Sequence, residues 1–448
     1  MKSEALIYVP SDTPEAMVLA TRKVAGVPLI IRGVMSLAEA GLRSVVMLVA
    51  PGQKEQIERF LRRYPKERRP EVSILEYDEP YRLSPTLVQT CLEKLDSRFM
   101  LINANLLFDA SLIRRLRMLP LHGYDTLLCH EGAHPLPIIA VTRTGFATLT
   151  SFTDARPRSM QSCLTHLTTT LTPQVVQRPD NANIFFLRRS QNIPVAEKFL
   201  SEVIRVETSG LVARWINKRI SLPISLLLSK LWISPNAITS FNIMIGLAAA
   251  VFAADGQRYG VILLGATLYQ LASIVDGCDG EVAKLTFRKS RFGQIIDTIG
   301  DNLSLFGFLI AMIGGYWRQT HSPIAFVIGA ALLTSAIVTI TMMLRSMSRL
   351  TDSKSLVAYE REYLTRLPRD RFGHITQFAQ CAKYVVKKDG FSFLAFLFAV
   401  TGHLYTWLFL TTAGAMVAAV IVTRLAFVRT LASEPHVIPE NARTSRLP

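Results

Sequence analysis

The sequence predicts an α/β domain followed by an all-α transmembrane domain of six helices. Three observations carry this expectation. Over residues 1–205, short apolar runs alternate with stretches of helical pattern, as in a sheet served by crossover helices. Beyond residue 235 the apolar runs lengthen towards the ~20 residues that cross a bilayer. Between two of those long runs lie four aspartates. Carboxylates near bilayer depth are expensive, so they normally mark a functional site.

The elements follow in order. Residues 5–9 (Ala-Leu-Ile-Tyr-Val) read as the first strand, and further apolar runs fall at 45–49, 73–77, 99–103, 125–129, 137–141 and 183–187. Helical patterns occupy 53–63 and 110–118. The character changes over 206–235. There Arg214, Lys218 and Arg219 are spaced to share one helix face, with Leu211, Trp215 and Ile216 on an apolar side. This reads as a juxtamembrane amphipathic helix on the membrane surface, or else as an interdomain helix packed on the soluble domain. Pro223 is expected to bend or end its first segment. The transmembrane domain, 236–430, holds candidate spans at 236–254, 260–279, 293–315, 323–344, 388–403 and 404–424, and 431–448 form a tail. There is no internal repeat and no low-complexity tract.

Half of the 448 residues are hydrophobic, 19% are charged, and the net charge is +16. The basic residues gather beside apolar segments. That favours anionic lipid head groups and the positive-inside effect over nucleic acid, which is not expected as a partner. Residues 284–292 hold Lys284, Arg288, Lys289 and Arg291, and 345–388 are rich in Arg and Lys, whereas 255–259 and 316–322 have one Arg each. The basic side, both termini and the aspartate cluster are therefore expected to be cytoplasmic, which in a bacterial cell means the inner membrane. Trp232, Trp317 and Trp407 fall near predicted interfaces. Five scattered cysteines without a CxxC pair argue for neither disulfides nor a cysteine metal site. The N-terminus has no apolar signal-peptide core.

The aspartates are in register. Asp276 and Asp279 are i,i+3 on one helix, and Asp297 and Asp301 are i,i+4 on the next. Gly280, Ala283 and Gly293 are small residues on or near those faces, where a helix or ligand can approach. Two facing helices would gather four carboxylates, an oxygen-only set suited to Mg²⁺, Mn²⁺ or Ca²⁺ rather than Zn²⁺. An EF-hand is excluded, because Phe287 stands where its twelfth-position Glu is required.

The run Asp276-Gly-Cys-Asp279-Gly280-Glu-Val-Ala283-Lys284, then Gly293, Asp297 and Asp301, resembles the D-x2-D-G-x2-A-R-x8-G-x3-D-x3-D motif of the CDP-alcohol phosphotransferases. Every gap matches, and Lys284 replaces the usual Arg. The resemblance covers about 206–430. It implies an integral membrane enzyme that moves a substituted phosphate from a CDP-alcohol donor, such as CDP-diacylglycerol, to an acceptor hydroxyl with release of CMP. It also implies two divalent cations, Mg²⁺ or Mn²⁺, with Asp276, Asp279, Asp297 and Asp301 as the ligand set and Asp301 as general base. Gly280, Ala283, Lys284 and Gly293 would contact the nucleotide. Lys supplies charge there without the planar fork of Arg. Pro235-Asn236-x-x-Thr239 resembles the family's P-N-x-x-T. Asn236 and Thr239 then either bind nucleotide or cap the helix. Arg345, Arg349, Arg361, Arg366, Arg369 and Arg371 either bind an acidic acceptor or supply positive-inside charge. His374 and His403 have no partner spacing. A homodimer in contact with membrane lipids is the family expectation. A divalent-cation transporter on the same fold is the alternative of another class.

Residues 1–205 resemble, more loosely, the sugar nucleotidyltransferases, a Rossmann-like fold. The likeness rests on Lys23-Val-Ala-Gly26-Val-Pro28-Leu29-Ile30 and Leu101-Ile-Asn-Ala-Asn105-Leu-Leu-Phe-Asp109. The catalytic signature departs from that family at three points. Pro10-Ser-Asp-Thr-Pro-Glu15 has no glycine to cradle phosphate, Ala104-Asn105 replaces the metal-binding Gly-Asp, and Leu19 stands where a Lys is expected. A degenerate domain is therefore expected. The alternative is a bifunctional inositol-phosphate cytidylyltransferase and phosphodiester synthase.

Overall fold

The computed structural model describes residues 2–432 apart from 11–12, 79–81, 120–123, 132–133, 155, 157, 172, 178–182, 209 and 351–387. The chain divides into two compact units. The first comprises Met1–Thr208, Leu222–Pro235 and Cys278–Ser290, and the second Ser209–Ser221, Asn236–Gly277 and Arg291–Pro448.

The first unit opens with β1 (Ser3–Tyr8), α1 (Pro14–Leu19), the short strands β2 (Lys23–Val24) and β3 (Val27–Pro28), and α2 (Leu29–Glu39). β4 (Ser44–Val49), α3 (Lys54–Leu61), β5 (Glu71–Glu76), α4 (Pro85–Lys94) and β6 (Leu95–Asn103) follow. Then come β7 (Leu106–Phe108), α5 (Ala110–Met118), β8 (Thr126–Glu131), β9 (His134–Thr142), α6 (Arg143–Asp154), α7 (Met160–Thr170), β10 (Pro173–Gln177), β11 (Ile184–Phe186) and α8 (Ile193–Glu207). Seven strands form one sheet in the order β10-β8-β9-β6-β1-β4-β5. β6, β1, β4 and β5 run parallel, with Leu6 opposite Val46 and Ile7 opposite Met47, and β9 is antiparallel to both neighbours. β4 is buried at all six positions, which is why it reads as an unbroken apolar run rather than an alternating one. One apolar layer joins this sheet to α2, α3 and α5, and the other joins it to α4, α6 and α7. The seven expected strands are present. α3 and α5 fall at the two expected helical patterns, while β2, β3, β7 and β10 were not anticipated: the first three are only two or three residues long and β10 is interrupted by polar residues.

A π-helical stretch, Ala213–Asn217, leads into α9 (Lys218–Lys230). Pro223 lies inside this helix and does not end it. Burial of Leu222 with Ala25, Ile204 and Leu285 holds the segment helical despite the missing backbone donor.

In the second unit, α10 (Pro235–Ala253), α11 (Tyr259–Leu285), α12 (Arg291–Thr320), α13 (Ile324–Leu350), α14 (Lys388–Val400) and α15 (Leu404–Ala432) account for the expected apolar segments. Among the described residues, α10, α11, α12 and Leu404–Arg424 within α15 are long and apolar enough to cross a membrane. Of the fourth expected span, the described apolar stretch is Ile324–Thr339 within α13, and the fifth, α14, has 13 residues. Small residues let these helices touch. A Cβ on Gly246 would lie 2.3 Å from the Ser304 hydroxyl, and one on Gly265 would lie 2.6 Å from the Ala253 nitrogen. Tyr269 stacks on Phe308 at 4.1 Å inside this bundle. Trp407 is buried there too, while Trp232 packs edge-on against Phe60 and Tyr64 of the first unit.

Candidate metal and active site

α11 carries Asp276 and α12 carries Asp297 and Asp301. One carboxylate oxygen from each lies within 4.8 Å of the others. Three of the four expected carboxylates are thus grouped. Asp279 lies outside the group and accepts a hydrogen bond from its neighbour's backbone, Gly280 N, at 2.5 Å.

Two polar side chains support this cluster that the sequence reading missed. Asn242 on α10 donates its Nδ2 to Asp276 Oδ1 at 3.0 Å. Lys388 at the head of α14 donates its Nζ to Asp276 Oδ1 at 2.9 Å and also to Asp301 Oδ1. Signals for both were present. Asn242 is three residues beyond Thr239, on the same helix face, and Lys388 is a cation at the margin of an apolar run. A turn before Asp276, a buried polar chain braces the same helix. Gln270 donates to Asn217 Oδ1 at 3.1 Å, Asn217 donates to Ser273 Oγ at 3.4 Å, and Ser392 donates to Gln270 Oε1 at 2.9 Å.

Three clustered carboxylates repel one another unless a cation joins them. Here an ammonium takes that place. The all-oxygen donor set and the attraction for positive charge both fit a hard divalent cation, with Asp276, Asp297 and Asp301 as the residues that would hold it.

The remaining site residues are placed as follows. Gly280 is exposed, and a Cβ there would meet nothing within 4 Å, so the helix surface is open at this point. Ala283 is buried, and Gly293 is half-buried in the first turn of α12. Asn236 is half-buried at the start of α10 and Thr239 is buried. Lys284 is exposed and pairs through Nζ with Glu207 Oε2 at 3.0 Å. In the first unit, Asn105 donates through Nδ2 to the Ala16 carbonyl at 3.1 Å, so its amide holds the backbone of α1. Arg361, Arg366, Arg369, Arg371 and His374 lie outside the described residues, as do the side chains of Arg345 and Arg349. His403 donates through Nδ1 to the Thr401 carbonyl at 2.7 Å, a bond to its own local backbone.

Residues 232–425 match the family model described as CDP-alcohol phosphatidyltransferase. The chain is 32% identical over 136 residues to a protein of Archaeoglobus fulgidus named bifunctional IPC transferase and DIPP synthase, covering 30% of this chain and 26% of that one. It is 32% identical over 138 residues to a CDP-diacylglycerol–serine O-phosphatidyltransferase of Mycobacterium leprae, covering 31% of this chain and 43% of that one. The chain thus spans between about a quarter and under half the length of these relatives. Among solved structures, the inositol-1-phosphate CTP transferase from T. maritima aligns with a TM-score of 0.35 at 13% identity, over 44% of this chain and 96% of that one.

Proposed function

We propose that residues 232–425, a CDP-alcohol phosphatidyltransferase domain by family match, transfer a substituted phosphate from a CDP-alcohol to an acceptor hydroxyl and release CMP. The observation that carries this is the convergence of Asp276, Asp297 and Asp301 within that segment. Two divalent cations, Mg²⁺ or Mn²⁺, would neutralise the charge that builds on the diphosphate and the departing CMP. Asp279 completes the acidic motif on α11 and is included in the proposed metal set.

The acceptor oxygen forms a bond to the β-phosphorus of the donor. The bond from that phosphorus to the bridging oxygen breaks, and CMP leaves with the oxygen. Asp301 takes the proton of the acceptor hydroxyl as general base. For that step Lys388 must give up its contact with Asp301, since an ammonium on the carboxylate blocks the approach of a hydroxyl. In this reading the nucleotide meets the open surface at Gly280 on α11, and Ala283 and Gly293 are its further proposed contacts. Lys284 exchanges Glu207 for a phosphate oxygen, and Asn236 and Thr239 line the start of α10.

The reading extends to the whole chain. It is a membrane-embedded homodimer with six spans, its basic loops and active site on the cytoplasmic side. The first unit does not activate an alcohol with CTP, a reading supported by the glycine-free segment 10–15 and by Asn105 in place of a carboxylate. The test is CMP release by the purified chain from CDP-diacylglycerol and from soluble CDP-alcohols, with Mg²⁺ or Mn²⁺ and a panel of hydroxyl acceptors. Asp297→Asn and Asp301→Asn are expected to lower the rate by about 10²–10⁴-fold, the scale of a lost general base or metal ligand. Absence of metal-dependent CMP release with every donor and acceptor would overturn the assignment. Consumption of CTP in an inositol-phosphate reaction would instead favour the bifunctional reading.

A further inference from the structure

The two halves of the aspartate motif are joined by residues 285–292, and side chains of the first unit hold this joint. α11 ends in a Schellman turn. Arg288 N donates to the Ala283 carbonyl at 2.9 Å, and Phe287 N donates to Lys284 O at 3.4 Å. The left-handed position of such a turn ordinarily belongs to glycine, yet here it is Phe287 at φ 57°. α9 ends in the same way. Ile233 N donates to Leu228 O and Trp232 N to Ser229 O, both at 3.1 Å, with Trp232 at φ 58°. Bulky residues keep this backbone conformation only where their surroundings enforce it.

The first unit supplies those surroundings. Two carbonyls at the end of α11 lack partners within the helix, and side chains of the first unit bind both. Arg32 Nη2 donates to Leu285 O at 2.7 Å, and Tyr64 Oη donates to Thr286 O at 2.8 Å. Arg68 donates to the Lys289 carbonyl. The Arg32 guanidinium stands 5.7 Å from the Phe287 ring centre, while Trp232 packs on Phe60 and Tyr64. Arg288 ties the two helix ends together by donating to Trp232 O at 3.3 Å and Ile233 O at 3.1 Å. Arg32 is fully buried, a position costly for a guanidinium, and burial lowers its pKa to about 10. Its other bonds reach Val24 O and Ala25 O, so one side chain links the β2–β3 hairpin to the end of α11.

We propose that Arg32, Tyr64 and Arg68 are positioning residues of the metal site: the first unit, whatever its own chemistry, sets the turn that brings the two halves of the aspartate motif into register. The turn is not specified by its own residues, which lack the glycine it requires. The clamp's effect on turnover rests on the proposed function, whereas its effect on metal binding does not.

The experiment uses the full chain and Mn²⁺ alone as probe. Tyr64→Phe deletes one hydroxyl, Arg68→Ala one exposed side chain, and Arg32→Met and Arg32→Lys separate fork geometry from charge. Hydrogen exchange over 282–292 and Mn²⁺ affinity are measured beside CMP release. Tyr64→Phe and Arg68→Ala are each expected to speed exchange and weaken Mn²⁺ binding up to about tenfold, the scale of one hydrogen bond. Arg32→Lys should lose less than Arg32→Met. If Arg32→Met does not fold, the Tyr64 and Arg68 variants decide. Faster exchange with unchanged Mn²⁺ affinity overturns the proposal, as does unchanged exchange. Loss of Mn²⁺ affinity in a chain that never releases CMP would sink the proposed transferase and leave the clamp standing.

Discussion

Lys388 touches two of the three clustered aspartates, so it competes with any metal for them. Removing one partner of a half-buried charge cluster leaves the others less compensated. Lys388→Met is therefore expected to tighten Mn²⁺ binding about tenfold while lowering the thermal stability of the metal-free chain, since roughly one charged hydrogen bond is released from competition. Calorimetric titration and thermal scans check both halves, and unchanged or weaker Mn²⁺ binding rejects the competition. Cys91 and Cys163 illustrate the opposite use of burial. Both thiols are buried in the first unit's core, and desolvation pushes each up to about 12. At pH 8 they are protonated and inert. Maleimide should label them only after denaturation, and rapid native labelling of either would contradict that burial.

Among the elements, α10 and α12 meet through glycine. Gly246 faces Ser304 so closely that a Cβ would stand 2.8 Å from the Ser304 Cβ. Gly246→Leu must push the helices apart, at an overpacking cost of about 1–3 kcal/mol. Because α12 carries Asp297 and Asp301, the same shift should weaken Mn²⁺ binding, and a titration that matches the parent chain would show that the helix pair absorbs the bulk elsewhere. The same elements show how legible the sequence was. α5 was expected at 110–118 and is Ala110–Met118, because its apolar period and the Asp109 cap agree. α11 was expected to stop at 279 and runs to Leu285. The expected stop followed hydropathy. The six added residues include the exposed Lys284, and a helix extends past its apolar run wherever its end is capped.

For the whole molecule, the first unit is assembled from three separate stretches of chain. An isolated fragment 1–208 would lack Trp232, which packs on Phe60 and Tyr64, and the Leu285 carbonyl that receives Arg32. It is expected to unfold several degrees below the corresponding transition of the intact chain, because about 1 kcal/mol shifts such a domain by a few degrees. Equal midpoints by circular dichroism would show that the added stretches contribute nothing to its stability.

The sequence by itself determined the α/β and helical classes, the apolar helices and the spacing of the acidic motif. Period and composition act locally, so they survive in a linear reading. The i,i+4 relation of Asp297 and Asp301 is of that kind. The tertiary structure decided which carboxylates meet, and left Asp279 out of the cluster formed by the other three. It also brought in Asn242 and Lys388, which stand 34 and 112 residues from Asp276. Their place follows from helix packing, and no local pattern records it. The same holds for Phe287 and Trp232. Their residue types argue against a left-handed turn, and only the long-range contacts of Arg32, Tyr64 and Arg288 make one.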